Sequence, residues 1–132
     1  MNRFFPALTL TLTLLVALAA CGAETPPPPS PGVKRVQNAT ASGLPTIAEF
    51  GAETCASCRE MKKVLDSVSR STAGRAHVLL IDIGKDWEAA QMFRIQLMPT
   101  QVFFGPDGRE TGRHMGKLSE AEVIARLGIG AP

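Results

Sequence analysis

The chain is predicted to fold as one α/β domain, a mixed central sheet with helices on both faces in three layers, α/β/α. Three observations carry that expectation. Short apolar runs of strand length alternate with segments of helical period, an order that implies parallel strands joined by helical crossovers. Near the C-terminus two such runs are joined by a tight turn, which adds an antiparallel hairpin. The length, 132 residues, suits one domain and is too short for two of ordinary size.

The elements follow in order. Val33 to Gly43 has no clear period and reads as a weak strand or irregular lead-in. Thr46-Ile47-Ala48-Glu49-Phe50, bounded by Pro45 and Gly51, reads as a strand. From Cys55 to about Ser71, Met61, Val64, Leu65 and Val68 recur at helical spacing, with Arg59, Lys62, Lys63 and Asp66 on the other face. His77 to Ile83 reads as a buried strand by its length and continuous hydrophobicity. Asp86 to about Phe93 is a short helix in or near which Trp87 and Phe93 pack. Thr100 to Phe104 is the third strand, Gly105-Pro106-Asp107-Gly108 a turn, and Arg109 to Met115 the returning fourth strand. Ser119-Glu120-Ala121-Glu122 has the form of a capping box, opening a last helix through Val123, Ile124 and Leu127 that Gly128 closes.

The N-terminus is of another kind. Arg3 precedes an uncharged run from Phe4 to Ala20, which ends in Leu18-Ala19-Ala20-Cys21-Gly22. This resembles the signal of bacterial lipoproteins, in which the cysteine is acylated and the chain is cut just before it. An ordinary secretory signal with Ala17-Leu18-Ala19 as its cleavage motif, or a retained membrane helix, are the alternatives. All three place the remainder outside the cytoplasm, and the lipoprotein reading anchors it to a membrane through Cys21. Gly22, where the resemblance puts aspartate in inner-membrane lipoproteins, favours the outer membrane and a domain facing the periplasm. The next stretch, Gly22 to Gly32, is rich in proline, favours extended polyproline II, and reaches roughly 30 Å as a spacer. The expected division is therefore a leader over 1–20, an acylated cysteine and linker over 21–43, and the folded domain over 44–132.

A formal net charge of +2 gives no reason to expect a nucleic-acid partner or an electrostatic membrane tether. There is no internal repeat and no glycine loop suited to phosphate. His77 and His114 are isolated, and Met92, Met98 and Met115 form no recognisable metal cluster.

Three cysteines are present. With Cys21 acylated, one pair remains, Cys55-Ala56-Ser57-Cys58. An isolated pair of this spacing oxidises in an oxidising compartment, yet it closes too short a loop to stabilise the fold by much. Its chemistry is the better explanation. Cys55 lies where a strand gives way to a helix, facing unpaired backbone N–H groups and the positive end of the macrodipole, which favours thiolate over thiol. Cys58, a turn later, is expected to be more buried and to resolve the mixed disulfide that Cys55 forms.

The chain from about Leu44 to Leu127 resembles the thioredoxin family. Ile47-Ala48-Glu49-Phe50 leads into the Cys-x-x-Cys, Met98-Pro99-Thr100 matches the family's cis-proline loop about forty residues on, Phe103-Phe104-Gly105-Pro106-Asp107-Gly108 matches its terminal hairpin, and Gly116 its late glycine. The resemblance implies a thioredoxin-like three-layer sandwich. It also implies that Pro99 is cis and lies against the cysteine pair, with Met98 and Thr100 around it receiving substrate. Glu49 corresponds to the family's buried acid, with a pKa raised by desolvation and a proton to exchange with Cys58; the alternative is a solvent-facing strand residue, which its apolar neighbours Ile47 and Phe50 disfavour. Departures accompany the match. Thr54 stands where the family has tryptophan, Ala56-Ser57 replaces Gly-Pro between the cysteines, and the family's buried lysine falls near Leu80.

The expected activity is thiol–disulfide exchange with other extracytoplasmic proteins, running reductively, by an enzyme that acts as a monomer. The electrons are carried by the Cys55–Cys58 disulfide with no cofactor or metal, and a membrane electron-transfer partner supplies them. The alternative is a metal-binding or metallochaperone lipoprotein using the same cysteines, which structural zinc disfavours because no second Cys/His pair exists.

Overall fold

A computed structural model describes residues 26–130; the expected leader and Cys21 lie outside them. Eight elements follow one another: α1 (Pro31–Thr40), β1 (Thr46–Gly51), α2 (Ala56–Ser71), β2 (His77–Asp82), α3 (Trp87–Met92), β3 (Thr100–Phe104), β4 (Glu110–Met115) and α4 (Glu120–Leu127).

The four strands form one mixed sheet in the order β2-β1-β3-β4. β1 pairs with β2 in parallel and with β3 antiparallel, and β3 with β4 antiparallel. A bulge at Phe103/Phe104 lets two residues of β4 face one of β3, which bends the hairpin.

Alternation along β1 divides the core in two. Ala48 and Phe50 point to one face, where they join Val33 and Val36 of α1, Ala89 of α3, and Ile81, Val102 and Phe104. Ile47 points to the other, packing with Met61, Leu65 and Val68 of α2, Phe103, Leu118, and Val123 and Leu127 of α4. The arrangement is the expected three-layer, thioredoxin-like α/β/α sandwich.

Three expectations need correction. Residues 31–40, read as part of the linker and lead-in, form α1, and Val33 and Val36 are fully buried against the sheet. The proline run does not prevent this. Pro31 takes the first helical position, where its missing N–H is not needed, and the Ser30 side chain accepts from the Val33 amide. The folded unit thus begins near Ser30 rather than Leu44. Second, β2 is an edge strand, and only Ile81 of its six residues is fully buried. Its continuous hydrophobicity comes from covering helices on both faces, while its outer edge stays open apart from the Arg35 guanidinium, which donates to the Leu80 carbonyl at 3.1 Å. Third, Trp87 is 65% exposed, because the first position of α3 turns outward. Phe93 does pack inward, 4.9 Å from the Phe50 ring.

Asp86 ties the helices of one layer together. Its carboxylate accepts from the Ala89 amide of α3 at 3.0 Å and from the Gly32 amide of α1 at 2.7 Å. One side chain caps two helices. On the other layer, Ser119 and Glu122 form the expected capping box, and Gly128 takes the left-handed conformation that ends α4.

Candidate active site

β1 delivers the chain to the site. After Gly51 a short loop leads to Cys55, which is extended (φ −85°, ψ 118°) and caps α2. The Cys58 amide donates to Cys55 Sγ at 3.3 Å, and the Ser57 hydroxyl lies at the same distance. The sulfur thus occupies the place an N-cap oxygen usually takes, at the positive end of a 16-residue helix. Cys55 and Cys58 are joined as a disulfide with a Cα–Cα separation of 5.2 Å. The pair is asymmetric: Cys58 is only 5% exposed, whereas Cys55 is half-buried.

Glu49 lies beneath the second cysteine. The alternation that points Ile47 toward α2 points Glu49 the same way, and only 3% of it reaches solvent. Its register neighbours are Leu80 on β2 and Gln101 on β3. Glu49 Oε1 and Cys58 Sγ both converge on Gly51: a methyl group built there would lie 3.4 Å from the first and 3.1 Å from the second. Glu49 Oε2 and both polar atoms of the Gln101 amide have no hydrogen-bond partner among the described residues. Burial pushes the Glu49 carboxyl up to about 7, and the Gln101 amide facing it offsets part of that rise. With Leu80 as its β2 neighbour, no cation is paired with it there. Such a carboxyl can take or give a proton near neutral pH.

The Met98–Pro99 bond is cis. Thr100 pairs with Phe50, so Pro99 lies at the end of the sheet from which the Cys55 loop departs. The Thr100 hydroxyl donates to the Leu97 carbonyl at 2.8 Å, and the Gly116 amide to the Pro99 carbonyl at 2.8 Å. Leu97, Met98 and Met115 are 61%, 44% and 57% exposed, which makes an apolar rim beside the proline.

Sequence reasoning missed Gln101, Gly51, Leu97 and Met115. Gln101 was detectable as the one amide in an apolar strand. The others carry no signal until the register brings them beside the cysteines. His77 bonds Ser42 Oγ at 2.8 Å and His114 lies 3.3 Å from the Lys117 carbonyl, so neither joins the site. Among the described residues no three His, Cys, Asp or Glu side chains are grouped to hold a metal ion, and no helix is long and apolar enough to cross a membrane.

Residues 34–129 match the family profile of the thioredoxin-like domain. Over 86 residues the chain is 30% identical to the chloroplastic thioredoxin M3 of Oryza sativa, covering 65% of this chain and 49% of the rice protein. It is 33% identical over 95 residues to the thiol:disulfide interchange protein DsbD of Ralstonia nicotianae, covering 67% of this chain and 16% of that protein. The chain therefore spans about half of one relative and a small part of the other. A solved structure of a chloroplastic thioredoxin z superposes with a TM-score of 0.66 at 28% identity, over 72% of this chain and 86% of that one.

Proposed function

This chain belongs to the thioredoxin-like domain family, and we propose that it is a thiol–disulfide oxidoreductase that reduces disulfides of other exported proteins while anchored to a membrane through Cys21. The observation that carries the redox reading is the Cys55 sulfur seated at the mouth of α2, with the Cys58 amide donating to it.

In the reduced protein those amides and the macrodipole favour the Cys55 thiolate. Cys55 attacks one sulfur of a substrate disulfide, and the other sulfur leaves as a thiolate and takes up a proton. Cys58, as thiolate, then attacks Cys55 Sγ. The Cys55–Cys58 bond closes and the second substrate sulfur departs, so two electrons have passed to the substrate. Glu49 accepts the Cys58 proton in this step, through the gap that Gly51 leaves. Met98, Pro99 and Thr100 receive the extended substrate segment, with Leu97 and Met115 adding apolar contact.

Reduction outside the cytoplasm requires an electron donor at the membrane, because that compartment is kept oxidising. The lipobox-like Leu18-Ala19-Ala20-Cys21 supports export and anchoring in the envelope, and the likeness to a part of a thiol:disulfide interchange protein is consistent with such a relay. The test is insulin reduction by dithiothreitol. The wild-type protein is expected to accelerate precipitation, Cys55→Ser to abolish the acceleration, and Cys58→Ser to accumulate a mixed disulfide on Cys55. Equal rates for wild type and Cys55→Ser contradict the assignment.

A further inference from the structure

The chain enters the folded unit at the end of the sheet that carries the cysteines. The Ser30 amide donates to Glu88 Oε1 at 3.2 Å, and the Gly32 amide to Asp86 Oδ2 at 2.7 Å. Asp86 lies just past the C-terminal end of β2, and its neighbour Lys85 pairs at 3.1 Å with Glu53, which precedes Cys55 in the same loop. Because β1 and β2 run parallel, the Cys55 loop and the Lys85–Asp86 turn leave the same end of the sheet. Exposed Leu97, Met98 and Met115 border that end on the β3 side, and exposed Trp87 on the β2 side. The other terminus leaves from the far end. There the Gly130 carbonyl accepts from Arg75 at 3.1 Å, between the close of α2 and the start of β2.

We propose that this polarity turns the redox end toward the membrane, so that the partners of Cys55 are dithiols and disulfides presented at the surface of the same bilayer by other membrane-held proteins. The proposal rests on the redox pair and the Cys21 anchor already proposed, and adds the direction in which the site faces. Nine residues carry the chain from Cys21 to Ser30, a reach of no more than about 32 Å when fully drawn out. A domain of this size is about 33 Å across. The tether is thus as short as the domain is wide, and its point of entry decides which thiols Cys55 meets. Entry beside the site keeps the cysteines about one tether length from the bilayer, whereas entry at the Gly130 end would add the width of the domain. Leu97, Met98 and Met115 on one side of the cysteines and Trp87 on the other offer such a partner apolar contact.

The exchange balances. A partner thiolate attacks Cys55 Sγ, the Cys55–Cys58 bond breaks, and Cys58 leaves as a thiolate that takes up a proton. The partner's second thiol, losing its proton, attacks the partner sulfur of the mixed disulfide. The partner's own disulfide closes, Cys55 departs as a thiolate, and two electrons have entered the protein. Reduction of a membrane-held substrate is the same sequence in reverse.

The test holds residues 21–132 on phosphatidylcholine vesicles in two ways. In one, the oxidised chain is coupled through Cys21 to a maleimide lipid. In the other, Cys21→Ser with one cysteine appended after Pro132 is coupled through that cysteine. Both are reduced and offered a pyridyl disulfide on a lipid headgroup of the same vesicle, or the same pyridyl disulfide free in solution. Cys55 displaces pyridinethione, which is followed by absorbance, and Cys58 then closes the protein bond and releases the probe's thiol. The rate on the lipid-held probe relative to the free one is expected to be about threefold higher for the Cys21 anchor, because doubling the reach dilutes the site by the three-halves power of length. Equal ratios, or a higher ratio from the C-terminal anchor, overturn the proposal. Adsorption of the uncoupled Cys21→Ser chain to the vesicles also overturns it, since lipid itself would then occupy the apolar rim. The free probe separates the failures: if neither form reduces it, the redox assignment falls as well. Absence of lipid on Cys21 in cells, read by palmitate labelling, removes the anchor and this proposal while the redox assignment stands.

Discussion

Near neutral pH Glu49 exchanges between acid and carboxylate, because its pKa is about 7 in the folded chain and 4.5 in ordinary surroundings. Between those values the folded state holds a proton that the unfolded state has released. The Glu49 contribution to stability is therefore fully present below pH 4.5, is lost as pH rises through 7, and amounts to on the order of 3 kcal/mol. Glu49→Gln is expected to match the wild type in urea unfolding at pH 4.5 and to exceed it by up to that amount at pH 8; a constant difference across this range contradicts the burial argument. The same variant is expected to hold the mixed disulfide longer above pH 7, where the wild-type carboxylate accepts the Cys58 proton. Legibility at this scale was uneven. Glu49 could be singled out because the resemblance to the thioredoxin family puts a buried acid at that interval before the cysteines, and Cys55 because strand-to-helix boundaries are written in local pattern. Gln101 could not be placed under the site, since nothing local says which residue of β1 it faces. Gly51 was invisible for a related reason: its role is defined by what a side chain there would strike.

At the scale of elements, α1 is the instructive case. Only Gly32, Val33, Val36 and Ala39 turn inward, on a ten-residue helix that begins at a proline after a proline run, so propensity did not announce it. Its stability comes from burial against Phe50, Val102 and Phe104. Val36→Ala is expected to destabilise the domain by about 2 kcal/mol, through lost transfer and the cavity left behind, read as a lowered urea midpoint at unchanged slope. Asp86 adds a second handle on the same layer. Against a burial that raises it, the Ser30 hydroxyl and the Ala89 and Gly32 amides hold its carboxyl below the ordinary range. Its contribution is thus present above the ordinary carboxylate pKa and fades as pH falls through the lowered one. Asp86→Ala uncaps α3 and strips the acceptor from the Gly32 amide of α1, whose own cap Ser30 remains, and is expected to remove about 2 kcal/mol at pH 7, more than the effect of a single cap. A loss no greater than that of Ser119→Ala, which opens one capping box, contradicts the double cap. The Ser119–Glu122 capping box, the hairpin and the amphipathic α2 were legible because their signals are local. The exposure of β2 was not, because a strand's place in the sheet is decided by its partners.

For the molecule as a whole, the sheet order brings three distant segments to one end: the Cys55 loop after β1, the Met98–Pro99 turn before β3, and Met115 with Gly116 after β4. The central claim is that this end holds a sulfur made acidic by a helix terminus and a shielded partner that closes reversibly onto it. The direct measurement is alkylation of the reduced protein by iodoacetamide as a function of pH, resolved by peptide mass spectrometry, followed by reoxidation. Cys55 is expected to titrate well below the ordinary thiol value of about 8.5, with Cys58 reacting more slowly at every pH and the bond re-forming when reductant is removed. Two sulfurs titrating alike near the ordinary value, with no reclosure, would contradict the account.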